Sequence, residues 1–324
     1  MKIGITSTIP VEIVFAAGHT PCDLNNIFIS SDDPEYFIRR AENAGFPRTT
    51  CAWIKGIYGV LLEEKIDTII IVSGGDCSNS IALGEVLAHD GRRIIPFSYP
   101  LQPDVKAMEL AITKLSTKLG ANNNLIYDCK LQLDPIRTRL AELDRLTWQE
   151  NLITGAENQL YLVSASDFNG HPQQFSRRLD EFINQALTRS PRKRKIRLGL
   201  AGVPPILSNL FNVIDGFDAT VVFNEVPRQF ALPWAAHCSL AEQYTRYTYP
   251  YQVERRLADI EKACRERRLD GLIHYTQSFC FRQIEDILFK RRLKIPTLTL
   301  EADQPGPVDG RTLTRIETFI EMLS

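Results

Sequence analysis

Short apolar runs rich in β-branched residues alternate along the chain with longer segments whose apolar residues recur at helical spacing. The clearest run, residues 66–72, has the length of a strand and is apolar throughout, as expected for a strand covered on both faces. It ends in Ser73-Gly74-Gly75-Asp76, and helical character resumes over residues 80–89. Strands that alternate with helices in this way predict a doubly wound parallel sheet.

The alternation of strands and helices is predicted to extend over the rest of the first 130 residues. A polar, partly extended segment is predicted between Gly18 and Asp32. A proline or an acidic cap marks the start of two helices, at Pro10 and at Asp32-Asp33-Pro34, and glycines mark their ends at Gly18 and Gly45. The predicted strands are residues 2–8, 66–72, 94–98 and 125–128, and a further helix is predicted over residues 52–64.

The middle of the chain is predicted to be helical, and the last third returns to alternating strands and helices. Asp134-Pro135 is predicted to begin the first helix of the middle region, which runs to about residue 148. Two more helices are predicted over residues 155–165 and 172–187. The last third is predicted to contain strands at 196–201, 219–223, 270–275 and 296–300 and helices at 205–214, 251–267, 282–291 and 311–323.

An internal repeat relates the two α/β parts. Cys77 follows Asp67 by ten residues, and Cys280 follows Asp270 by ten residues. The segments that precede these pairs also correspond, each with a strand, a small-residue turn and a proline, and downstream Ile94-Ile95-Pro96-Phe97 is echoed by Lys294-Ile295-Pro296-Thr297-Leu298. The sequence therefore predicts two related α/β domains, residues 1–130 and 196–324, joined by a helical bridge and basic linker over residues 131–195.

Composition bounds the possible functions. The chain has 324 residues, 44% of them hydrophobic and 24% charged, which suits a globular protein with two cores of ordinary size. A net charge of −1 gives no field that would favour nucleic acid or an anionic membrane, and no apolar run approaches the ~18 residues of a membrane span. We expect a cytoplasmic protein whose seven cysteines are reduced thiols or metal ligands.

Three cysteines stand where open α/β sheets bind their ligands. Cys77 and Cys280 are predicted at equivalent strand ends, and Cys51 at the start of a helix, so all three are expected to converge at a crevice between the domains. The alternative is that each is a small buried hydrophobic residue. The absence of closely spaced ligand pairs argues against structural zinc. Distant thiolates suit an iron–sulfur cluster, which with three cysteines leaves one iron open for a substrate oxygen.

The remaining chemistry-bearing residues carry weaker signals. Cys264 is predicted to be core, whereas Cys22, Cys129 and Cys238 could be extra ligands. His19 is the one histidine that we nominate for proton transfer, the alternative being a structural role. The basic segment 189–195 is either a solvated linker or a site for the phosphates of a coenzyme. No P-loop and no G-x-G-x-x-G motif is present, so energy or electrons must come from a partner.

Several sequence motifs of the chain resemble those of the 2-hydroxyacyl-CoA dehydratase and benzoyl-CoA reductase family, close to the D-component of 2-hydroxyglutaryl-CoA dehydratase. The likeness covers nearly the whole chain. The segments that carry it are Pro10-Val11-Glu12 with Ala16-Ala17-Gly18-His19, Ala41-Glu42-Asn43-Ala44-Gly45-Phe46-Pro47 leading to Cys51 and Lys55-Gly56, Gln277-Ser278-Phe279-Cys280-Phe281-Arg282 with Glu285-Asp286, and Leu300-Glu301-Ala302-Asp303 with Thr314-Arg315-Ile316-Glu317.

The resemblance implies a [4Fe-4S] cluster with Cys51, Cys77 and Cys280 as ligands and an acyl-CoA thioester as substrate. It also implies a separate ATP-hydrolysing iron–sulfur activator that injects one electron, and a homo- or heterodimer with a related subunit. By the chemistry of that family, the electron converts the thioester into a ketyl radical, which expels the neighbouring hydroxyl group. Glu12 or His19 would then move protons.

Two other functions are compatible with the sequence. A sister group carries a double-cubane [8Fe-9S] cluster and reduces small molecules with a similar ATP-driven partner, which would require the extra ligands named above. In the other alternative the chain is a non-enzymatic, two-lobed protein that binds a small molecule, and all its cysteines are packing residues. Iron content distinguishes the three functions. The dehydratase predicts about four irons per chain, the double-cubane reductase about eight, and the non-enzymatic binding protein a colourless chain.

Overall fold

The computed structural model describes residues 1–193 and 195–324. In its first third, helices separate four short strands, three of which the hydrophobic pattern predicts. The elements are β1 (Lys2–Ile5), α1 (Val11–Ala16), β2 (Thr20–Asp23), α2 (Leu24–Ser30), α3 (Pro34–Asn43), α4 (Ala52–Glu64), β3 (Thr68–Gly74), α5 (Ser78–His89), β4 (Arg93–Ser98) and α6 (Val105–Leu119).

Three helices form the middle of the chain, and a second set of four strands follows them. The elements are α7 (Asn123–Trp148), α8 (Gly155–Ser164), α9 (Pro172–Leu187), β5 (Ile196–Gly202), α10 (Leu210–Gly216), β6 (Ala219–Asn224), α11 (Glu225–Ala231), α12 (Leu240–Arg246), α13 (Val253–Glu266), β7 (Gly271–Thr276), α14 (Arg282–Arg292), β8 (Thr297–Glu301) and α15 (Gly310–Leu323). None of the described helices is long and apolar enough to cross a lipid bilayer.

The strands form two parallel sheets of identical topology. The first has the order β2-β1-β3-β4 and the second β6-β5-β7-β8, and every pairing is parallel. Strand β5 occupies the place of β1, and β7 that of β3. The predicted α/β class with two related doubly wound sheets is therefore confirmed, whereas the domain boundaries stay a prediction.

A continuous apolar core joins the two sheets. Leu61 and Ile69 from the first half belong to the same cluster of buried side chains as Leu198 and Ile273 from the second. Each of these residues is at most 1% exposed. Apolar burial on this scale is the main favourable term in folding, so the packing fixes how the two sheets face each other.

Two predictions about the middle of the chain are wrong. The strand at residues 125–128 is the first part of α7, where the Asn122 side chain caps the helix and Ile126 and Leu133 lie on its buried face. Residues 134–135 do not begin a helix but lie inside α7, where the Asp134 carboxylate accepts a hydrogen bond from Lys130 one turn earlier (2.6 Å). The segment after Gly18, predicted to be only partly extended, contains β2 and α2.

Candidate functional site

One cavity lies at the carboxyl ends of the central strands of both sheets. The order of each sheet reverses direction between its first and third strands, which is where open α/β sheets bind ligands. The loops that follow β1, β3, β5 and β7 all reach the cavity, through Thr6, Cys77, Pro204 and Cys280 respectively. The cavity has a volume of about 130 Å³. For comparison, an engineered cavity of about 150 Å³ admits benzene.

Cys51 reaches this cavity from the N-terminus of α4. It is the N-cap residue of the helix, and the backbone N–H groups of Trp53 and Ile54 point toward its sulfur. Its thiol donates a hydrogen bond to Gln277 Oε1 (2.8 Å), and the same oxygen accepts from the backbone N–H of Ala52 (3.2 Å). Gln277 follows β7, so this contact ties α4 to the second sheet directly at the cavity.

Cys77 is the N-cap residue of α5, one helix along from Cys51. The preceding carboxylate of Asp76 accepts from the backbone N–H of Cys77 (2.8 Å) and from the hydroxyl of Ser80 (2.9 Å), which fixes the turn between β3 and α5. The Ser80 hydroxyl also lies 3.8 Å from Cys77 Sγ. Asp76, Cys77 and Ser80 all line the cavity.

Cys280 lies in the turn between β7 and α14. Its backbone N–H donates to Gln277 O (3.1 Å), and the preceding Phe279 has a left-handed backbone (φ 62°) that a bulky residue rarely adopts. The Phe279 side chain is 82% exposed, while Cys280 is half-buried and lines the cavity. The structure thus brings Cys51, Cys77 and Cys280 to one cavity, as the sequence predicts.

The environment of two of these thiols opposes their ionisation. Burial raises the pKa of Cys51 to about 12, and the neighbouring Cys280 and Cys77 add to the shift, against the N–H groups of Ile54 and Trp53. Burial and the adjacent Asp76 carboxylate also raise the pKa of Cys77. Both thiols are therefore neutral at physiological pH, and a metal that binds them must displace their protons.

The donor set fits a soft metal group larger than one ion. Among residues 1–193 and 195–324, no three His, Cys, Asp or Glu side chains lie close enough to hold a single metal ion. Three thiols around one cavity are nevertheless the ligand type that iron–sulfur clusters take, and a cluster separates its ligands further than one ion does.

The other four cysteines do not line this cavity. Cys22 and Cys129 pack against the main apolar clusters, and Cys264 packs against a third. The Cys238 thiol faces the backbone oxygens of Trp234 (3.4 Å) and Ala235 (3.6 Å). These positions give no support to the extra ligands that a double-cubane cluster would need.

The two side chains predicted to move protons lie elsewhere. Glu12 is fully buried, forms an ion pair with Arg137 (2.8 Å) and accepts hydrogen bonds from Gln243 and Tyr244 (both 2.9 Å). Burial would raise the pKa of Glu12, but Arg137 and the hydrogen bonds hold it below its usual value. His19 follows α1, and its buried Nδ1 has no hydrogen-bond partner among the described atoms. Neither residue lines the cavity.

The carboxylates that do line the cavity are Asp23 and Asp76. Asp23 was missed because it ends β2, a strand that the hydrophobic pattern does not reveal. Asp76 was not singled out, although its place directly before Cys77 at the end of β3 could have drawn attention to it. Burial raises the pKa of both residues.

Asp23 lies beside a second buried carboxylate, that of Asp167, which makes stability depend on pH. Burial and the charge of Asp23 raise the pKa of Asp167 to about 7. The folded chain then holds a proton that the unfolded chain loses above an ordinary aspartate pKa of about 3.9, so Asp167 lowers stability progressively as the pH rises from about 4 to 7. We expect Asp167→Asn to remove this slope, which amounts to roughly 4 kcal/mol at most.

Urea unfolding at several pH values between 4.5 and 8 would measure the contribution of Asp167 to the pH dependence of stability. The quantity to compare is the pH dependence of the free energy of unfolding, because Asp167→Asn also weakens a hydrogen bond from the backbone N–H of Asp23 or of Asn169 at every pH. The exposed Asp128→Asn is the control for loss of one surface charge. Parallel curves for the wild type and Asp167→Asn would contradict the prediction.

The described residues of the basic segment 189–195 lie away from the cavity. Arg194 falls outside the described residues; Arg189 pairs with Glu157 (3.0 Å) and Arg192 with Asp215 (2.5 Å). The segment precedes β5, whose opposite end reaches the cavity, and a strand of seven residues is about 23 Å long. Its position favours the linker interpretation over a phosphate site that serves this cavity.

A second cavity adjoins the first. Its volume is about 530 Å³, and Ile29, Gln159 and Val163 line both cavities. The charged residues that line the second cavity are all acidic, namely Asp32, Asp33 and Glu35. Arg39 pairs with Asp33 (3.0 Å) and Glu35 (3.3 Å) but does not itself line the cavity, so the lining offers no cation to a phosphate group and the space suits a neutral or apolar part of a ligand.

Comparison with known protein families identifies a match over almost the entire chain. A family model described as 2-hydroxyglutaryl-CoA dehydratase, D-component, matches residues 6–323, which is essentially the whole chain. The comparison with curated proteins found no match.

Proposed function

Since the chain belongs to the 2-hydroxyglutaryl-CoA dehydratase D-component family, we propose that it carries out the iron–sulfur-dependent dehydration of a 2-hydroxyacyl-CoA or the related reduction of an acyl-CoA. Membership of this family implies that the chain is a component of a dehydratase-type enzyme. The observation that carries the finer proposal is the arrival of Cys51, Cys77 and Cys280 at one cavity, from both halves of the molecule.

In this proposal the three cysteines hold a [4Fe-4S] cluster. When bound, the cluster would supply single-electron chemistry to the thioester. The chain itself contributes apolar wall residues such as Trp53 and Val203, which would limit the access of water to the reacting group. Because Asp23 and Asp76 line the cavity, we propose these carboxylates for proton transfer there, in place of Glu12 and His19.

The size of the cavity bears on how a thioester would bind. About 130 Å³ does not accommodate coenzyme A beside a cluster, because ligand pockets for larger molecules span roughly 300–1,000 Å³. The adjoining cavity of about 530 Å³ offers further room, but its acidic lining suits the pantetheine arm better than the phosphates. We propose that the phosphates lie outside both cavities.

Two protein partners belong to the proposal: an ATP-hydrolysing iron–sulfur activator that delivers the electron, and a related subunit or second copy. A group of exposed apolar side chains beside Cys77 and Cys280 supports contact with a protein at this end of the molecule, because such patches mark interaction sites. The residues are Ile81, Phe279, Phe281, Ile284 and Ile287.

Anaerobic reconstitution with iron and sulfide tests the proposal. We expect a brown, oxygen-sensitive chain with about four irons and four sulfides and an EPR signal upon one-electron reduction. About eight irons would indicate the double-cubane reductase instead. A colourless chain that takes up no iron would contradict both and favour a non-enzymatic binding protein.

A further inference from the structure

Arg282 places a guanidinium in the wall of the three-cysteine cavity, two residues after Cys280. Its side chain is buried, with the whole residue only 3% exposed. We propose that Arg282 offsets the negative charge of the group held by the three cysteines and thereby sets how readily that group accepts an electron. This inference rests on the proposed function, because it assumes that the cysteines hold a redox-active group.

The contacts of Arg282 fix the guanidinium in position. Nη2 donates a hydrogen bond to Tyr249 O (2.8 Å). The guanidinium carbon lies 4.0 Å from the centre of the Tyr249 ring and 4.8 Å from that of Phe281. Tyr249 and Phe281 both line the cavity, so the stacked guanidinium forms part of its wall.

The charge of Arg282 is only loosely paired. Its nearest carboxylate oxygens belong to Glu285, at 3.4 and 3.5 Å from Nη1, which is long for a charged pair. Glu285 makes a much shorter contact with Arg256, which also forms two hydrogen bonds with Glu225 (2.7 and 2.8 Å). Glu285 is therefore shared between two cations, and the stronger of its bonds goes to Arg256.

One donor of Arg282 has no protein partner. Nε is buried and makes no hydrogen bond to any described atom. Leaving a charged donor unsatisfied in a protein interior costs stability, so such a group calls for an explanation. Nε itself is shielded from the cavity, but an anionic ligand there would stabilise the guanidinium, whose charge the chain leaves only partly paired.

An iron–sulfur cluster with thiolate ligands is such an anion. Its reduction potential depends on net charge and on hydrogen bonds to its sulfurs, and the effect of a nearby cation is large in a site shielded from water. Adding an electron makes the group more negative. A fixed cation in the wall stabilises the reduced form more than the oxidised form, and its removal should lower the potential.

The test is a redox titration of the reconstituted chain, followed by EPR, for Arg282→Gln and Arg282→Lys. The matched control is Arg255→Gln. Arg255 also donates to a backbone oxygen, that of Thr245 (3.0 Å), and its guanidinium lies over a tyrosine ring at 5.4 Å, but it does not line the cavity. Iron content and thermal unfolding are measured for each variant.

We expect Arg282→Gln to make reduction about tenfold less favourable, a shift of about 59 mV to more negative potential for one electron. Arg282→Lys and Arg255→Gln should stay close to the wild type. Loss of iron in Arg282→Gln with retention in Arg282→Lys would also support the proposal. If Arg282→Gln does not fold, Arg282→Met takes its place with the same expectation.

An unchanged potential in Arg282→Gln at full iron content would overturn the inference. Equal loss of iron from the glutamine and lysine variants would also overturn it, because charge would then not be the property that matters. Failure of the wild type to take up iron would instead remove the proposed function, so the two failures are distinguishable.

Discussion

Replacing Cys51, Cys77 or Cys280 singly by serine is expected to abolish cluster binding and reduce turnover to background. The three sulfurs line one cavity and come from α4, the β3–α5 turn and the β7–α14 turn, so no neighbouring thiol can replace a lost one. A serine hydroxyl is a hard, weakly acidic ligand that does not substitute for a soft thiolate on iron. Iron and sulfide content after anaerobic reconstitution, with EPR, measures the effect.

The matched control is Cys264→Ser. Cys264 is also half-buried, but it packs against a separate apolar cluster and does not line the cavity. It should keep full iron content. If any one of the three cavity variants retained stoichiometric iron and its spectrum, that cysteine would be a packing residue and the ligand set proposed here would be wrong.

Glu12→Gln is expected to destabilise the fold by roughly 3–5 kcal/mol, because it leaves the buried guanidinium of Arg137 with only the more distant Asp134 carboxylate (3.6 Å) as an anion. Glu12 is 0% and Arg137 2% exposed, and their oxygen and nitrogen lie 2.8 Å apart. Removing one partner of a buried ion pair costs more than the pair itself contributes. The free energy of unfolding in urea, compared between wild type and variant, measures the change.

Two further variants complete this test. The double variant Glu12→Gln with Arg137→Met should recover much of the lost stability, since no charge is then left unpaired. Glu266→Gln, which breaks the exposed pair with Lys262, should change stability by less than about 1 kcal/mol. Unchanged stability of Glu12→Gln together with lower turnover would show instead that Glu12 acts in proton transfer.

The fold was predictable where local pattern and tertiary packing agree. Strand β3 is a continuous apolar run, and the repeat it shares with β7 correctly predicts two sheets of one design. Strand β2 has only four residues, among them a proline, and gives no such signal. In α7, Leu125, Ile126 and Tyr127 form an apolar triplet that suggests a strand, yet only Ile126 is buried.

The residues of the candidate site were also only partly predictable from the sequence. The equivalent positions of Cys77 and Cys280 follow from the repeat. Chain topology alone brings the ends of β3 and β7 to the point in each sheet where the strand order reverses direction. Glu12 could not be placed from sequence, since its partner Arg137 lies 125 positions away on α7. Arg282 stands inside a segment that carried the family likeness, but its partly unpaired charge depends on the competition with Arg256 for Glu285.

The division of the three thiols between the sheets also constrains biosynthesis. Cys51 and Cys77 leave the ribosome long before Cys280, and the cavity has no complete wall until β7 and α14 have been made and the second sheet has packed on the shared core. Any group that needs all three sulfurs must therefore be inserted after translation has passed α14. Insertion of such a group would be a late step, and oxidation of the Cys51 and Cys77 thiols before that step would compete with it.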